Sequence, residues 1–337
     1  MAKFTQFIPQ NVATSEAEKI VIYNRKGNQV GDIALRSLAN INFGNKLYSF
    51  GCLSDVHVNY DTAAEDLQRA LKFFVDSDMD FITICGDLAY QGTESELNYY
   101  KTIVDAYSGG LPIYVAAGNH EFYQERSSSY LENYTGYPLY YTIYKGDDLF
   151  IFFGVISGTQ GNFFETTALQ WLYETLEANR NRRCFLFQHI LLDDGCGDIL
   201  NLYGNKLSSD TTEGIIFKSL LSHYHNIVFF HGHSHVRFRW QNQGAIANYD
   251  KLYGCHSVHI PSCAIPKDPN ATATDLDIYY AGSEGYVVDV YDNGIHLKGR
   301  DFENGEYIPI ASYWLDTTLQ SVEAGTYVDS TGTIDTH

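Results

Sequence analysis

The chain has 337 residues, is 45% hydrophobic and 15% aromatic, and carries a formal net charge of −19. That much apolar mass suffices for one large domain with additions or two ordinary ones, and it excludes a disordered polymer. The acidity excludes bulk nucleic acid and anionic membranes as partners, because both repel such a surface.

Residues 20–35, IVIYNRKGNQVGDIAL, predict two short strands about the turn RKGN. They belong to a β-rich extension, residues 1–46, that carries none of the chemistry found later. A regular alternation then begins. LYSFGCLSD (47–55) is an apolar, aromatic-rich run that reads as a buried strand. In TAAEDLQRALKFFVDSD, Thr62 and Glu65 have capping-box spacing, and Leu67, Ala70, Leu71, Phe74 and Val75 recur at helical spacing. DFITIC (80–85) is the second strand. Thr93 with Glu96 opens a helix that places Leu97, Tyr100, Val104 and Tyr107 on one face, and LPIYVAA (111–117) is the third strand. LFIFFGV (149–155) is the fourth. Thr167 with Gln170 caps a helix bearing Leu169, Leu172, Tyr173 and Leu176, and CFLFQ (184–188) is the fifth strand. A helix around 213–223 leads to the sixth, NIVFFH (226–231). Beyond it no helix is predicted, and GYVVDVYDNGIHLKGRDF (285–302) reads as a hairpin turning at Asn293-Gly294. The main domain is thus expected over 47–302, followed by a polar tail, 303–337. The alternation predicts an α/β core with much parallel character and helices on its faces.

The 27 tyrosines and 20 phenylalanines read as a thick aromatic core. Six cysteines, at 52, 85, 184, 196, 255 and 263, form no CxxC pair and read as small core residues rather than a disulfide framework or zinc site. The opening MAKFTQFIPQNVATSEAEK has no apolar leader, and no run approaches membrane-spanning length. The expectation is a soluble protein of a reducing compartment, the cytoplasm.

In sheets of this kind, sites form beyond the carboxyl ends of the strands. The first strand is followed by Asp55 and His57, the second by Gly86-Asp87, the third by GNHE with Asn119 and His120, the fifth by His189, and the sixth by HGHSH with His233 and His235. Any one of these alone reads as a turn or cap residue. Repetition at five strand tips points to metal, because Asp, His and Asn bind borderline-hard divalent ions and no thiolate lies among them. Asp55, His57, Asp87, Asn119, His189, His233 and His235 are too many for one tetrahedral ion and suit two ions sharing a carboxylate. Two such ions would hold phosphoryl oxygens and activate a water for in-line attack. They would also reconcile an anionic substrate with an acidic protein. His231, next to the glycine, reads as structural or supporting, and His223, His225, His256, His259, His296 and His337 as ordinary histidines.

DxH, GD, GNHE, a lone His and GHxH, in this order and each after a strand, resemble the calcineurin-like metallophosphoesterase superfamily over roughly residues 48–240. The resemblance implies a two-sheet β-sandwich of mixed sheets flanked by helices, with a dimetal site at one edge. It implies that Asp55, His57, Asp87 and His235 bind one ion, that Asp87 bridges, and that Asn119, His189 and His233 complete the second. It implies manganese, iron or zinc. His120 would donate to a phosphoryl oxygen or protonate the leaving group. The chain departs from the pattern at Tyr90, where many members read GDxxD and use the aspartate to orient the catalytic histidine. Purple acid phosphatases read GDxxY and ligate iron through the tyrosine, but lack the histidine of DxH that is His57 here. Tyr90 therefore has three possible jobs: ligand, partner of His120, or pocket lining. His57 argues against the first.

Three functions compete: a two-metal phosphoesterase for a small phosphomonoester or phosphodiester, an inactive relative used as a scaffold, and an active enzyme attached through residues 1–46 to a larger assembly such as a phage particle or surface complex. Every ligand position is filled, which favours an enzyme. Loops 122–140 and 191–212 carry aromatic and polar side chains that suit a nucleoside or a glycerol head group equally.

Overall fold

A computed structural model describes residues 43–124, 128–198, 206–238, 248–251, 253–267 and 282–317, together with strands at 19–23, 29–34, 326–328 and 334–336. The chain divides into two compact units, Met1–Asn45 and Lys46–His337. In the first, β1 (Lys19–Tyr23) pairs antiparallel with β2 (Gln29–Ala34). The RKGN turn expected between them lies outside the described residues.

The second unit holds β3 (Lys46–Leu53), α1 (Ala63–Asp76), β4 (Phe81–Cys85), α2 (Glu94–Tyr107), β5 (Ile113–Ala116), α3 (Ser128–Thr135), β6 (Tyr140–Lys145), β7 (Asp148–Phe153), α4 (Thr166–Ala178), β8 (Cys184–Phe187) and α5 (Thr212–His223). It continues with β9 (Ile227–His231), β10 (Tyr249–Asp250), β11 (His256–His259), β12 (Glu284–Tyr291), β13 (Gly294–Asp301), β14 (Glu306–Asp316), β15 (Thr326–Val328) and β16 (Ile334–Thr336). One six-stranded sheet has the order β14-β13-β12-β3-β4-β5, parallel only from β3 to β5. The other has the order β10-β11-β9-β8-β7-β6, parallel from β11 to β7 with an antiparallel strand at each edge.

The alternation along each strand explains the layers. Inward residues of both sheets meet in one core: Tyr48, Phe50 and Cys52 on β3 face Phe150, Phe152, Phe185, Phe187 and Phe230. Rings on neighbouring strands stack in a row, Phe152 on Phe187 at 5.0 Å and Phe187 on Phe230 at 4.9 Å. Each such ring contributes about 1.5–3 kcal/mol by burial alone. On the outer face of the first sheet, Ile82, Ile84 and Val115 pack on Leu67, Leu71 and Phe74 of α1 and on Leu97 and Tyr100 of α2. On the other, Ile151, Leu186 and Phe229 pack on Leu172 and Leu176 of α4 and on Phe217 and Leu221 of α5. The result is a sandwich of two mixed sheets with helices outside, in which all six cysteines are buried free thiols.

Several local expectations are corrected. The capping box at Thr93 and Glu96 forms, but Thr62 makes no cap bond and donates to Asp66 Oδ2 at 2.9 Å. Helix α4 starts at Thr166 behind Glu165, which puts Thr167 inside its first turn. The β12–β13 hairpin turns at Asp292-Asn293, because Gly294 already pairs with Tyr291. Strand pairing does not stop at 302: β14 extends the first sheet to Asp316, with Pro309 tolerated on an edge strand beside a register shift. The loop expected at 122–140 contains α3. Among the described residues no helix is long and apolar enough to cross a membrane.

Candidate metal centre

The carboxyl ends of β3, β4, β5, β8 and β9, drawn from both sheets, open onto one edge of the sandwich. Loops tie them together there. Asp55 N–H donates to Gly86 O at 3.1 Å, His57 N–H to Asp87 O at 2.9 Å, and Gly232 N–H to His189 O at 3.0 Å. The backbone is bent to aim side chains inward. Asp55, His57, Asp87, His233 and His235 all sit at positive φ, between 47° and 73°, a region that residues with a Cβ rarely visit and that clusters at functional sites. Two glycines make room: a Cβ on Gly86, itself at φ 85°, would strike the ring of His189, and one on Gly118 would strike the Asp87 carboxylate and backbone.

Two sets of ligand atoms result, Asp55, His57, Asp87 and His235 in one and Asp87, His189 and His233 in the other, each set within 4.8 Å. Asp87 belongs to both. Across them, His235 Nε2 lies 3.0 Å from Asp55 Oδ1, His189 Nε2 3.0 Å from Asp87 Oδ2, and the Nε2 atoms of His57 and His235 are 3.1 Å apart. The six Asp and His residues read from the sequence as ligands are therefore brought together.

Most side chains have one polar atom held and the other turned inward. Asp55 Oδ2 accepts from Ser54 Oγ (2.6 Å) and His233 N–H (3.0 Å), leaving Oδ1. Asp87 Oδ1 accepts from His120 N–H at 3.0 Å, leaving Oδ2. Asn119 Nδ2 donates to Tyr123 Oη at 3.0 Å, leaving Oδ1. His189 Nδ1 donates to Cys85 O at 2.7 Å and His235 Nδ1 to Ile265 O at 3.2 Å, which leaves each Nε2 with its lone pair. Asp55 Oδ1, Asp87 Oδ2, Asn119 Oδ1 and His189 Nε2 are buried without a hydrogen-bond partner. Such atoms cost roughly 1–3 kcal/mol each unless something else satisfies them. His189 Nε2 and Asp87 Oδ2 lie close without hydrogen-bond alignment, as expected of two donors aimed at a common point. This donor set fits a pair of cations.

The electrostatics agree. Burial alone would raise the Asp55 and Asp87 carboxyls, but the imidazoles of His235 and His189 beside Asp55, and of His189 and His120 beside Asp87, hold both well below the usual range. Burial keeps His57 and His233 neutral, with His233 lowered to about 3. Burial opposes charge on His189 as well, yet with no cation present the two carboxylates raise it to about 10, so a proton and a cation compete for the lone pair of its Nε2. Two buried anions thus demand positive charge at this point.

His120 stands at the rim, half-buried, with Nδ1 donating to Tyr90 O at 2.6 Å and Nε2 3.7 Å from Asp87 Oδ2. Tyr90 partners His120 through its backbone carbonyl, while its ring lies 6.0 Å from the rings of both His57 and His120. His231 faces Cys196 and Ser257 at 3.4 Å each, away from the cluster.

Four contributors escaped the sequence reading. Glu121, buried, accepts from the N–H groups of Asp87 (3.0 Å), Leu88 (2.7 Å), Ala89 (3.3 Å) and Gly118 (2.8 Å), joining the second and third tips. Ser54 and Tyr123 fix Asp55 and Asn119. His259, grouped above with the ordinary histidines, meets Ser234 Oγ at 2.8 Å and Asn248 Oδ1 at 3.0 Å, and so braces the loop between His233 and His235. Only Glu121 had a signal, its place in GNHE.

The calcineurin-like phosphoesterase model matches residues 48–237. A dimetal phosphatase from Danio rerio has a similar structure, with TM-score 0.58 at 14% identity over 81% of this chain and 100% of that one. A purple acid phosphatase from yellow lupin seeds follows at TM-score 0.56 and 13% identity, over 80% of this chain and 53% of that one. The anchor in the inner membrane complex of Plasmodium has TM-score 0.54 at 14% identity, over 81% and 89%. At these identities the likeness is one of fold. No curated protein matches. The family model spans more than half of the chain and encloses every strand tip from Asp55 to His235, so the chain belongs to the calcineurin-like phosphoesterase family.

Proposed function

We propose that this chain is a metal-dependent phosphoesterase acting on a small phosphomonoester or phosphodiester. The observation that carries this reading is the meeting of Asp55 Oδ1, Asp87 Oδ2 and His189 Nε2, all buried without a hydrogen-bond partner, with His189 Nε2 3.7 Å from the first and 3.0 Å from the second. Asp55, His57, Asp87 and His235 would hold one ion, and Asp87, Asn119, His189 and His233 the other. An oxygen and nitrogen donor set without thiolate suits manganese, iron or zinc. When bound, such a pair supplies positive charge to the phosphoryl oxygens and acidifies a water for in-line attack.

The chain's own residues do the rest. Asp87, shared by both sets, offsets the repulsion of two neighbouring cations. Ser54, Glu121, Tyr123 and His259 hold the ligands in place, so little rearrangement is needed on binding. His120, with Nδ1–H fixed on the Tyr90 carbonyl, presents Nε2 at the rim, where in its protonated form it gives a proton to the departing oxygen. A carbonyl steadies the ring but adds no full negative charge, unlike the aspartate of GDxxD relatives. Metal analysis of the purified protein, coupled to assays on one aryl phosphomonoester and one aryl phosphodiester, tests the reading. Bound metal with turnover of at least one ester supports it, and a metal-free, inert protein contradicts it.

Residues 1–46 carry a second proposal, attachment to a larger assembly. Residues 1–45 form a separate compact unit, and one protein of this fold is a complex anchor. Size-exclusion profiles with and without residues 1–46 test it, and an unchanged partner profile ends it.

A further inference from the structure

A band of aromatic rings runs along one side of the metal centre. The rings of Tyr60 and Tyr90 are 4.8 Å apart, Tyr90 continues to His120 at 6.0 Å, and His120 meets Tyr123 at 4.2 Å. His120 therefore stands in the middle of the band. Unlike the phenylalanine rows between the sheets, these rings reach solvent: Tyr123 is 47% exposed, and Tyr60, Tyr90 and His120 are half-buried.

The rings are seated before anything binds. Tyr60 packs on Ala63, Ala264 and Ile265. Tyr90 is fixed by its backbone, with N–H donating to Val58 O at 3.3 Å and its carbonyl accepting from His120 Nδ1. Tyr123 Oη accepts from Asn119 Nδ2 at 3.0 Å. Rings held this way lose little freedom when a flat partner stacks on them.

In the chemistry proposed above the proton passes through Nε2 of His120, which has the rings of Tyr90 and Tyr123 on its two sides. A group that receives a proton from Nε2 must depart past the rings that flank it. We propose that Tyr60, Tyr90 and Tyr123 form the leaving-group subsite, and that the substrate carries a flat aromatic leaving group, a nucleoside or comparable heteroaromatic. This rests on the phosphoesterase reading for its assignment of the leaving side. A glycerol group has no π face and gains nothing from the band, whereas stacking is open to every base. The net charge of −19 opposes a nucleic-acid polymer, so the ligand is of mononucleotide size.

The test compares adenosine 5′-monophosphate with ribose 5-phosphate, which share one leaving oxygen and differ only in the base. Two readouts are taken with manganese present: affinity by calorimetry, and hydrolysis. Stacking of one base predicts that the wild-type protein favours the nucleotide by roughly 10–100-fold in affinity and in kcat/KM. Tyr60→Leu and Tyr90→Leu each bring that ratio toward one, while Tyr90→Phe, which keeps the flat face and the backbone carbonyl, preserves it. Equal affinities in the wild-type protein overturn the subsite without recourse to any variant, and so does a preference that both leucine variants retain. A binding preference lost in the leucine variants, with neither phosphate nor the aryl phosphodiester hydrolysed, supports the subsite and overturns the phosphoesterase reading instead.

Discussion

Glu121→Gln isolates the brace behind the metal centre. Both Glu121 oxygens accept backbone N–H bonds, Oε2 from Asp87 and Gly118 and Oε1 from Leu88 and Ala89, at 2.7–3.3 Å. Glutamine keeps the size and one acceptor, but its amide nitrogen would face two N–H donors. Two bonds to a charged acceptor are lost, at roughly 1.5–3 kcal/mol each. Against that stands the relief of not burying a charge. Burial, with Asp87 nearby, raises the Glu121 carboxyl from 4.5 to about 7, and such a shift is worth about 3 kcal/mol. The global cost is then about 0–3 kcal/mol. The local cost is larger, because all four donors belong to residues 87–89 and 118, in the loops that carry Asp87 and Asn119. Loss of a partner that orients ligands typically lowers metal affinity about 10–100-fold. Urea unfolding and calorimetric titration with manganese separate the two effects. A variant that unfolds earlier yet binds manganese like the wild-type protein would refute the bracing role.

His120→Ala should keep its metal while kcat falls by roughly 10²–10⁴-fold, as for a general acid; metal loss would make His120 a ligand. Tyr90→Phe should leave metal content unchanged and lower activity only modestly, because His120 is held by the backbone carbonyl; a violet wild-type protein that bleaches on this substitution would make the phenol an iron ligand. His256 bridges the sheets, accepting from Tyr249 Oη and donating to Asp316 O at 2.9 Å each, and burial lowers it to about 4. The unfolded chain takes up this proton below about 6.5, so the folded state should lose roughly 3 kcal/mol as pH falls from about 6.5 to about 4. Urea midpoints across that window check this, and a His256→Gln variant with the same pH slope as the wild-type protein would discount it.

The clustering of the candidate ligands was legible because each ligand type stands directly after an apolar run, and β→α alternation fixes where run ends converge. Asp87 after FITIC and His189 after CFLFQ needed no tertiary information. Glu121, Ser54 and His259 did. Glu121 meets the N–H groups of residues 87–89 and 118 only once β4 and β5 pair, Ser54 turns onto the neighbouring Asp55 carboxylate, and His259 reaches Ser234 from a strand, β11, with no pattern of its own. Strand β14 read as tail because Pro309 and the exposed Tyr307 and Ile310 mask an alternation that an edge strand tolerates. The caps of α1 and α4 failed because Thr62 found a side-chain partner in Asp66 and Glu165 took the cap position ahead of Thr167.

The central claim is that Asp87 is shared by two cations at a phosphoesterase centre. Elemental analysis of the wild-type protein and Asp87→Ala, on samples also assayed with an aryl phosphoester, tests it most directly. About two equivalents of metal with turnover in the wild-type protein, and loss of both in the variant, is the expected result. An Asp87→Ala protein that keeps two equivalents and normal turnover would contradict it.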